Sequence, residues 1–109
     1  DADLVFDVRF LNNPYWEEHL RDKSGNDLDV YSYVMEDPLT KDFLEYLLPF
    51  LDYAFARYVD ESKHHLTVAI GCTGGQHRSV SLTNFLYKHY RKDYKVFKTH
   101  RDVVELTER

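Results

Sequence analysis

No stretch of this sequence approaches the roughly 18 consecutive apolar residues that span a bilayer, and its first residues lack the basic start and apolar run of a signal peptide. Nothing in it points to a membrane or to export. Cysteine is nearly missing: the single Cys72 cannot make an internal disulfide, which fits a reducing cytoplasm and leaves one thiol to be read from its surroundings. Glycine and proline are scarce, four and three residues, which excludes collagenous, linker and low-complexity classes, and no internal repeat is visible. Base is outnumbered by acid, 14 Lys and Arg against 19 Asp and Glu for a net charge of -5. The chain as a whole therefore repels a nucleic-acid backbone unless its basic residues gather on one face.

What is abundant is apolar and aromatic: 43% of the 109 residues are hydrophobic, with nine tyrosines and seven phenylalanines. That is enough to bury one core without disulfides and too little for two domains. No initiator methionine precedes the first apolar run, so residues 1–109 are expected to be one domain cut from a longer protein.

Residues 3–11 are β-branched and aromatic and stop at Asn12-Asn13-Pro14, which predicts a first strand and a loop. Residues 15–21 suggest one helical turn, and residues 22–26 a polar loop. Asp27 is a candidate cap for a short helix with Leu28, Tyr31, Val34 and Met35 on one face, ending near Asp37. Pro38 then opens a longer helix whose apolar stripe runs from Phe43 to Val59, with Pro49 expected to kink or divide it near Leu48. Residues 66–70 read as a buried strand. Residues 71–75 turn the chain into a third helix, from about Gln76 to Arg91, with Val80, Leu82, Phe85, Leu86 and Tyr90 inward. Residues 94–100 predict a last strand and residues 102–109 a short helix or frayed end. The order implies an α/β domain with a small, mostly parallel sheet and flanking helices, its ligand site beyond the carboxyl ends of the strands.

The chemistry concentrates in Gly71-Cys72-Thr73-Gly74-Gly75-Gln76-His77-Arg78-Ser79-Val80. A buried strand runs into glycines that allow unusual backbone angles, and a helix begins at once, so backbone N–H groups converge with a helix N-terminus on one point suited to an anion. Arg78 can add a bidentate contact, and Thr73 and Ser79 hydroxyl donors, for a phosphate or carboxylate. The bland alternative is a tight strand-to-helix turn with Arg78 solvated. The loop lacks the Lys of a nucleotide P-loop and contains no G-x-G-x-x-G, so nucleotide binding by this domain is disfavoured.

A second pattern overlies the first. Cys72, Arg78 and Ser79 match the C-x5-R-S/T loop of cysteine-dependent phosphatases, in which a thiolate attacks phosphorus while loop amides and Arg hold the oxygens. Gly71 stands where those enzymes usually place His, and Asp7 is the candidate general acid if the first two strands are neighbours.

The longer match is to a different family. Residues 71–80, with Phe6-Asp7-Val8-Arg9-Phe10-Leu11-Asn12-Asn13-Pro14 and the closing His100-Arg101-Asp102, closely resemble the C-terminal domain of the RapZ/YvcJ family of RNase adaptor or nucleotide-binding proteins. The resemblance implies an N-terminal P-loop domain outside this sequence, which would be the part that binds ATP or GTP, leaving this domain without a cofactor. It further implies a C-terminal domain that senses glucosamine-6-phosphate or a similar amino-sugar phosphate, within a homo-oligomer, and in enterobacterial members binds small regulatory RNA. Carried over, Cys72, Thr73, Gly74, Gly75, Gln76, His77, Arg78 and Ser79 would form the phosphate loop. Asp7 and Arg9 would border it, or form a structural pair at the strand end. Tyr15 stands where familiar members have His, and it can donate a hydrogen bond but carry no positive charge.

For RNA, the candidates are Lys95, Lys98, His100 and Arg101, in a basic run interleaved with Tyr90, Tyr94 and Phe97. The alternative is an edge strand blunted by lysines. Residues 103–109 hold two Glu and one basic residue, unlike the basic C-terminus of the RNA-binding members. His64-His65 has no further ligand at metal spacing and reads as a surface pair. Trp16 with Tyr15 reads as core or interface packing rather than a sugar platform. The aromatics Phe43, Tyr46, Phe50, Tyr53, Phe55 and Tyr58 exceed what one small core absorbs, which suggests a subunit interface. The leading expectation is a cytoplasmic phosphosugar sensor without catalysis, with a regulatory protein or small RNA as its partner. A phosphatase and an RNA-binding module are the alternatives.

Overall fold

A computed structural model describes residues 2–72, 74–100 and 102–109, with His100 described in its backbone alone. The elements in chain order are strand β1 (Leu4–Asp7), a 3-10 turn (Pro14–Trp16), helices α1 (Leu28–Met35) and α2 (Pro38–Asp60), strand β2 (His65–Gly71), helix α3 (Arg78–Tyr90) and strands β3 (Lys95–His100) and β4 (Val103–Thr107). The four strands form one sheet in the order β1-β2-β4-β3.

Only β1 and β2 are parallel, with Leu4 opposite Val68 and Asp7 opposite Gly71. Strand β4 runs antiparallel to both β2 and β3, so the sheet is mixed and the expected mostly parallel arrangement is corrected. The cause is residues 103–107, expected to be a helix or a frayed end. Val104 and Leu106 are buried while Val103, Glu105 and Thr107 alternate with them, a period of two that suits a strand. This strand folds back between β2 and β3 and makes the latter an edge.

Both long helices cover the same face of the sheet. Leu66, Val68 and Ile70 of β2 join Leu47, Leu51 and Phe55 of α2 and Leu82 and Leu86 of α3 in one core, closed by Val104 and Leu106. A second, smaller cluster of Leu20, Val30 and Val34 seats α1. The opposite sheet face carries Val5, 71% exposed, and Phe97, 52% exposed. A sheet dominated by antiparallel pairs tolerates one uncovered face.

Two expectations about the helices change. Helix α1 buries Val30 and Val34 but leaves Leu28 exposed, because its core face begins at Val30, two positions after Leu28. Helix α2 starts as expected, with the Asp37 carboxylate accepting from the Leu39 N–H at 2.8 Å and Pro38 in the first turn. It then continues through Pro49 undivided. Pro49 is exposed, and the packing of Leu47, Leu51 and Phe55 on either side holds the helix through the missing hydrogen bond.

Candidate functional site

The site grows from the parallel pairing of β1 and β2, whose carboxyl ends finish side by side. The Val8 N–H donates to the Gly71 carbonyl at 2.8 Å, one step beyond the strand register. The chain after β2 must then turn into α3 within a few residues. Gly74 and Gly75 do this with φ of 82° and 59°, in the left-handed region where a side chain is strained. Gly75 N–H closes the turn on the Cys72 carbonyl at 3.2 Å. Helix α3 begins at Arg78 after His77, whose side chain makes no capping bond, and of its first N–H groups that of Ser79 is taken by Cys72 Sγ at 3.4 Å.

Arg78 is not solvated. It is 4% exposed, and its Nη1 donates to the carbonyls of Arg9 at 2.7 Å and Leu11 at 3.1 Å. The guanidinium thus braces the segment after β1 against α3. Its Nε, and Nε2 of His77, are buried with no partner among the described residues. Ser79 is fully buried and faces Cys72: its N–H donates to Cys72 Sγ at 3.4 Å, and the Sγ lies 3.3 Å from its Oγ. Half-burial pushes the Cys72 thiol up, but the hydrogen bonds from Ser79 Oγ and the Ser79 and Gly75 amides, with the Arg78 charge, bring it below its ordinary value.

Two openings flank the loop. A shallow one of about 380 Å³ is lined by Val5, Phe6, Asp7, Arg9, Gly71 and Cys72. Here Asp7 and Arg9 pair with each other, Arg9 Nε donating to the Asp7 carboxylate at 2.7 Å and Arg9 N–H at 3.0 Å. The Arg9 amide is the main reason the Asp7 carboxyl sits below its ordinary value. The second opening is a deeper cleft of about 480 Å³ lined by Asn13, Tyr15, Trp16, Arg21, Asp22, Gly74, Gln76 and His77.

The residues singled out in the sequence are therefore divided. Gly74, Gln76, His77 and Tyr15 share the deeper cleft, Asp7, Arg9 and Cys72 share the shallow one, Gly75 lies in the turn between, and Arg78 and Ser79 are buried beneath them. Thr73 and Arg101, and the side chain of His100, lie outside the described residues. Lys98 packs back on α3, Nζ donating to Asn84 Oδ1 at 3.1 Å and lying 4.8 Å from the Tyr87 ring, whereas Lys95 is on the other side of β3. The strand alternation puts these two lysines on opposite faces.

Trp16, Arg21 and Asp22 were not singled out as site residues. Trp16 is not packed in the core: it is 74% exposed and stands edge-to-face with Tyr15 at 5.3 Å. Arg21 holds this wall in place, its Nε donating to the Tyr15 carbonyl at 3.0 Å and its guanidinium 5.0 Å over the Tyr15 ring. The polar loop behind it is tied to the start of α3, with Gly25 N–H on the Gln76 carbonyl at 2.9 Å and Gln76 Nε2 on the Lys23 carbonyl at 3.1 Å. Among the described residues no group of three His, Cys, Asp or Glu is placed to hold a metal ion, and no helix is long and apolar enough to cross a membrane.

Comparison with known proteins gives this site a family. The model of the RapZ C-terminal domain matches residues 1–104. The chain belongs to this family. It is 52% identical over 103 residues to a nucleotide-binding protein of Bacillus pumilus and 53% identical over 103 residues to one of Geobacillus thermodenitrificans, covering 94% of this chain and 35% of each relative. A nucleotide-binding protein of Clostridioides difficile is 48% identical over the same length and is covered to 36%. The chain thus spans about a third of the length of the curated relatives it matches. In this member of the RapZ C-terminal family, the loop after β2 and the segment after β1 form one cleft between them.

Proposed function

We propose that this domain is a regulatory sensor that binds a phosphorylated amino sugar of the glucosamine-6-phosphate kind, without turning it over. The bound state would be read by a P-loop domain of the same protein or by an RNA or protein partner. The observation that carries the reading is the deeper cleft, because it joins two compartments. On one side stand Gly74, Gln76 and His77 at the start of α3, where His77 supplies no side-chain cap and backbone N–H groups and the helix dipole favour a phosphate. On the other stand Tyr15, Trp16 and Asp22, an aromatic wall with polar groups that suits a ring bearing hydroxyls and an amine. Arg78 supports the loop from below rather than projecting into the cleft.

Titration calorimetry of this chain with glucosamine-6-phosphate, glucosamine and inorganic phosphate tests the reading. Saturable binding that needs both sugar and phosphate is the expected result, and it should be lost when Gly74→Val strains the turn at its φ of 82°. Equal binding of phosphate alone would refute the sensor and leave a general anion loop.

A second reading, a cysteine-dependent phosphatase, is favoured by one observation: Cys72, with its lowered thiol, shares an opening with Asp7. Its requirement for Arg78 on the phosphate is opposed by the engagement of that guanidinium with Arg9 and Leu11. Release of phosphate from a phosphomonoester that vanishes in Cys72→Ser would establish it.

A further inference from the structure

We infer that Trp16 and Asp22 set the specificity of the cleft for the organic end of its ligand, Trp16 as the platform for a saturated ring and Asp22 as the counter-charge for an amine. The inference rests on the phosphosugar reading above and goes beyond it by naming the residues that choose among phosphosugars. The indole of Trp16 is 74% exposed and lines the cleft, so its apolar face is open to a ligand there. Trp16 is fixed rather than loose: the 3-10 turn Pro14–Trp16 is capped by Asn13, whose side chain accepts from the Tyr15 N–H at 3.1 Å, and the Tyr15 ring meets its edge. The indole is thereby held on the wall of the cleft that Gly74 and His77 also line. A pyranose presents its axial C–H bonds to such a face while its hydroxyls remain wet.

Asp22 supplies the charge. The ion pairs among the described residues engage the carboxylates of Asp3, Asp7, Asp29, Asp60 and Glu108, and Asp22 takes part in none of them. Its neighbours are already committed, Lys23 to Asp29 and Arg21 to the Tyr15 carbonyl. Asp22 is the one carboxylate among the residues lining the cleft, and although Arg21 lines it too, no ion pair joins the two. A ligand with a phosphate at one end and an ammonium at the other matches both the helix start and this carboxylate. A neutral sugar phosphate matches only the helix start.

The test measures affinities of glucosamine-6-phosphate and glucose-6-phosphate for the wild-type chain, Asp22→Asn and Trp16→Ala, with thermal melts to confirm that these exposed positions leave the fold intact. The wild type should prefer the amine by on the order of fivefold, the worth of a partly exposed charge-assisted contact. Asp22→Asn should abolish that preference with little change for glucose-6-phosphate. Trp16→Ala should weaken both sugar phosphates together by a similar factor. An amine preference that persists in Asp22→Asn, or a wild type that binds both sugars equally, overturns the inference and leaves the phosphosugar reading standing. Failure of the wild type to bind either sugar phosphate overturns both.

Discussion

Replacing Arg78 by alanine should unfold this domain more readily before it does anything to a ligand. The side chain is 4% exposed and one nitrogen, Nη1, serves two backbone carbonyls, Arg9 at 2.7 Å and Leu11 at 3.1 Å. A hydrogen bond to a charged donor contributes about 1.5–3 kcal/mol net, and two bonds from one nitrogen fall short of twice that. Truncation also leaves two acceptors unpaired and a void where the stem packed. Against this, the variant no longer buries a guanidinium whose Nε has no partner among the described residues. The balance is a loss of about 3 kcal/mol, a fall in Tm on the order of 10 °C for a domain of this size. Calorimetry or circular dichroism reads it directly, and Arg78→Lys should recover only part of it, since one nitrogen serves both carbonyls but the lysine ammonium sits about one bond short of the position of Nη1. The reasoning is refuted if Arg78→Ala melts within about 2 °C of the wild type and yet loses all phosphosugar affinity. Arg78 would then be a ligand clamp that the apo geometry conceals. A binding assay on the alanine variant alone cannot separate these roles, which is why the melt must accompany it.

Other perturbations follow from the same geometry. A Cβ on Gly25 would stand 2.4 Å from the Ser81 N and 2.8 Å from the His77 carbonyl, so Gly25→Ala should cost about 2 kcal/mol in urea denaturation, and an unchanged midpoint would show that the loop and α3 are not in contact. Because the Cys72 thiol is lowered in the fold, its alkylation by iodoacetamide should reach half its maximal rate at lower pH than in the unfolded chain. The folded state then holds fewer protons between those two pH values, so stability should rise with pH across that interval; a half-point at or above the unfolded one contradicts this. Pro49→Ala should stabilise α2 by about 1–3 kcal/mol by restoring a helical N–H at an exposed position, and a lower Tm would mean that the proline shapes a bend the core needs.

How much of this could be read in the sequence depended on whether the deciding interaction was local. The start of α2 was readable because Asp37 and Pro38 act within one turn. The turn after β2 was readable because only glycine accepts the φ of Gly74 and Gly75 cheaply. Strand β4 carried its signal in Val104 and Leu106, alternating with Glu105 and Thr107, but five residues near a chain end compete poorly with the prior for fraying. Its central place in the sheet is set by partners such as Val68, opposite Val104, and no local pattern specifies that. The site divides along the same line. Phosphate-favouring features lie within a few residues of one another, so the loop announced itself. The destination of Arg78 did not, because its acceptors lie 69 and 67 positions away, and a basic residue at a helix start reads as a phosphate ligand or as solvated until the carbonyls it faces are known. Trp16 and Asp22 were hidden for the converse reason. A tryptophan near a proline turn is by base rate a packing residue, and only the placement of α3 against residues 13–22 leaves its face open on a cleft. The half of the proposed site that would recognise an anion is therefore written in local backbone chemistry, whereas the half that would choose its ligand exists only once β1 and β2 have paired and brought their two following loops together.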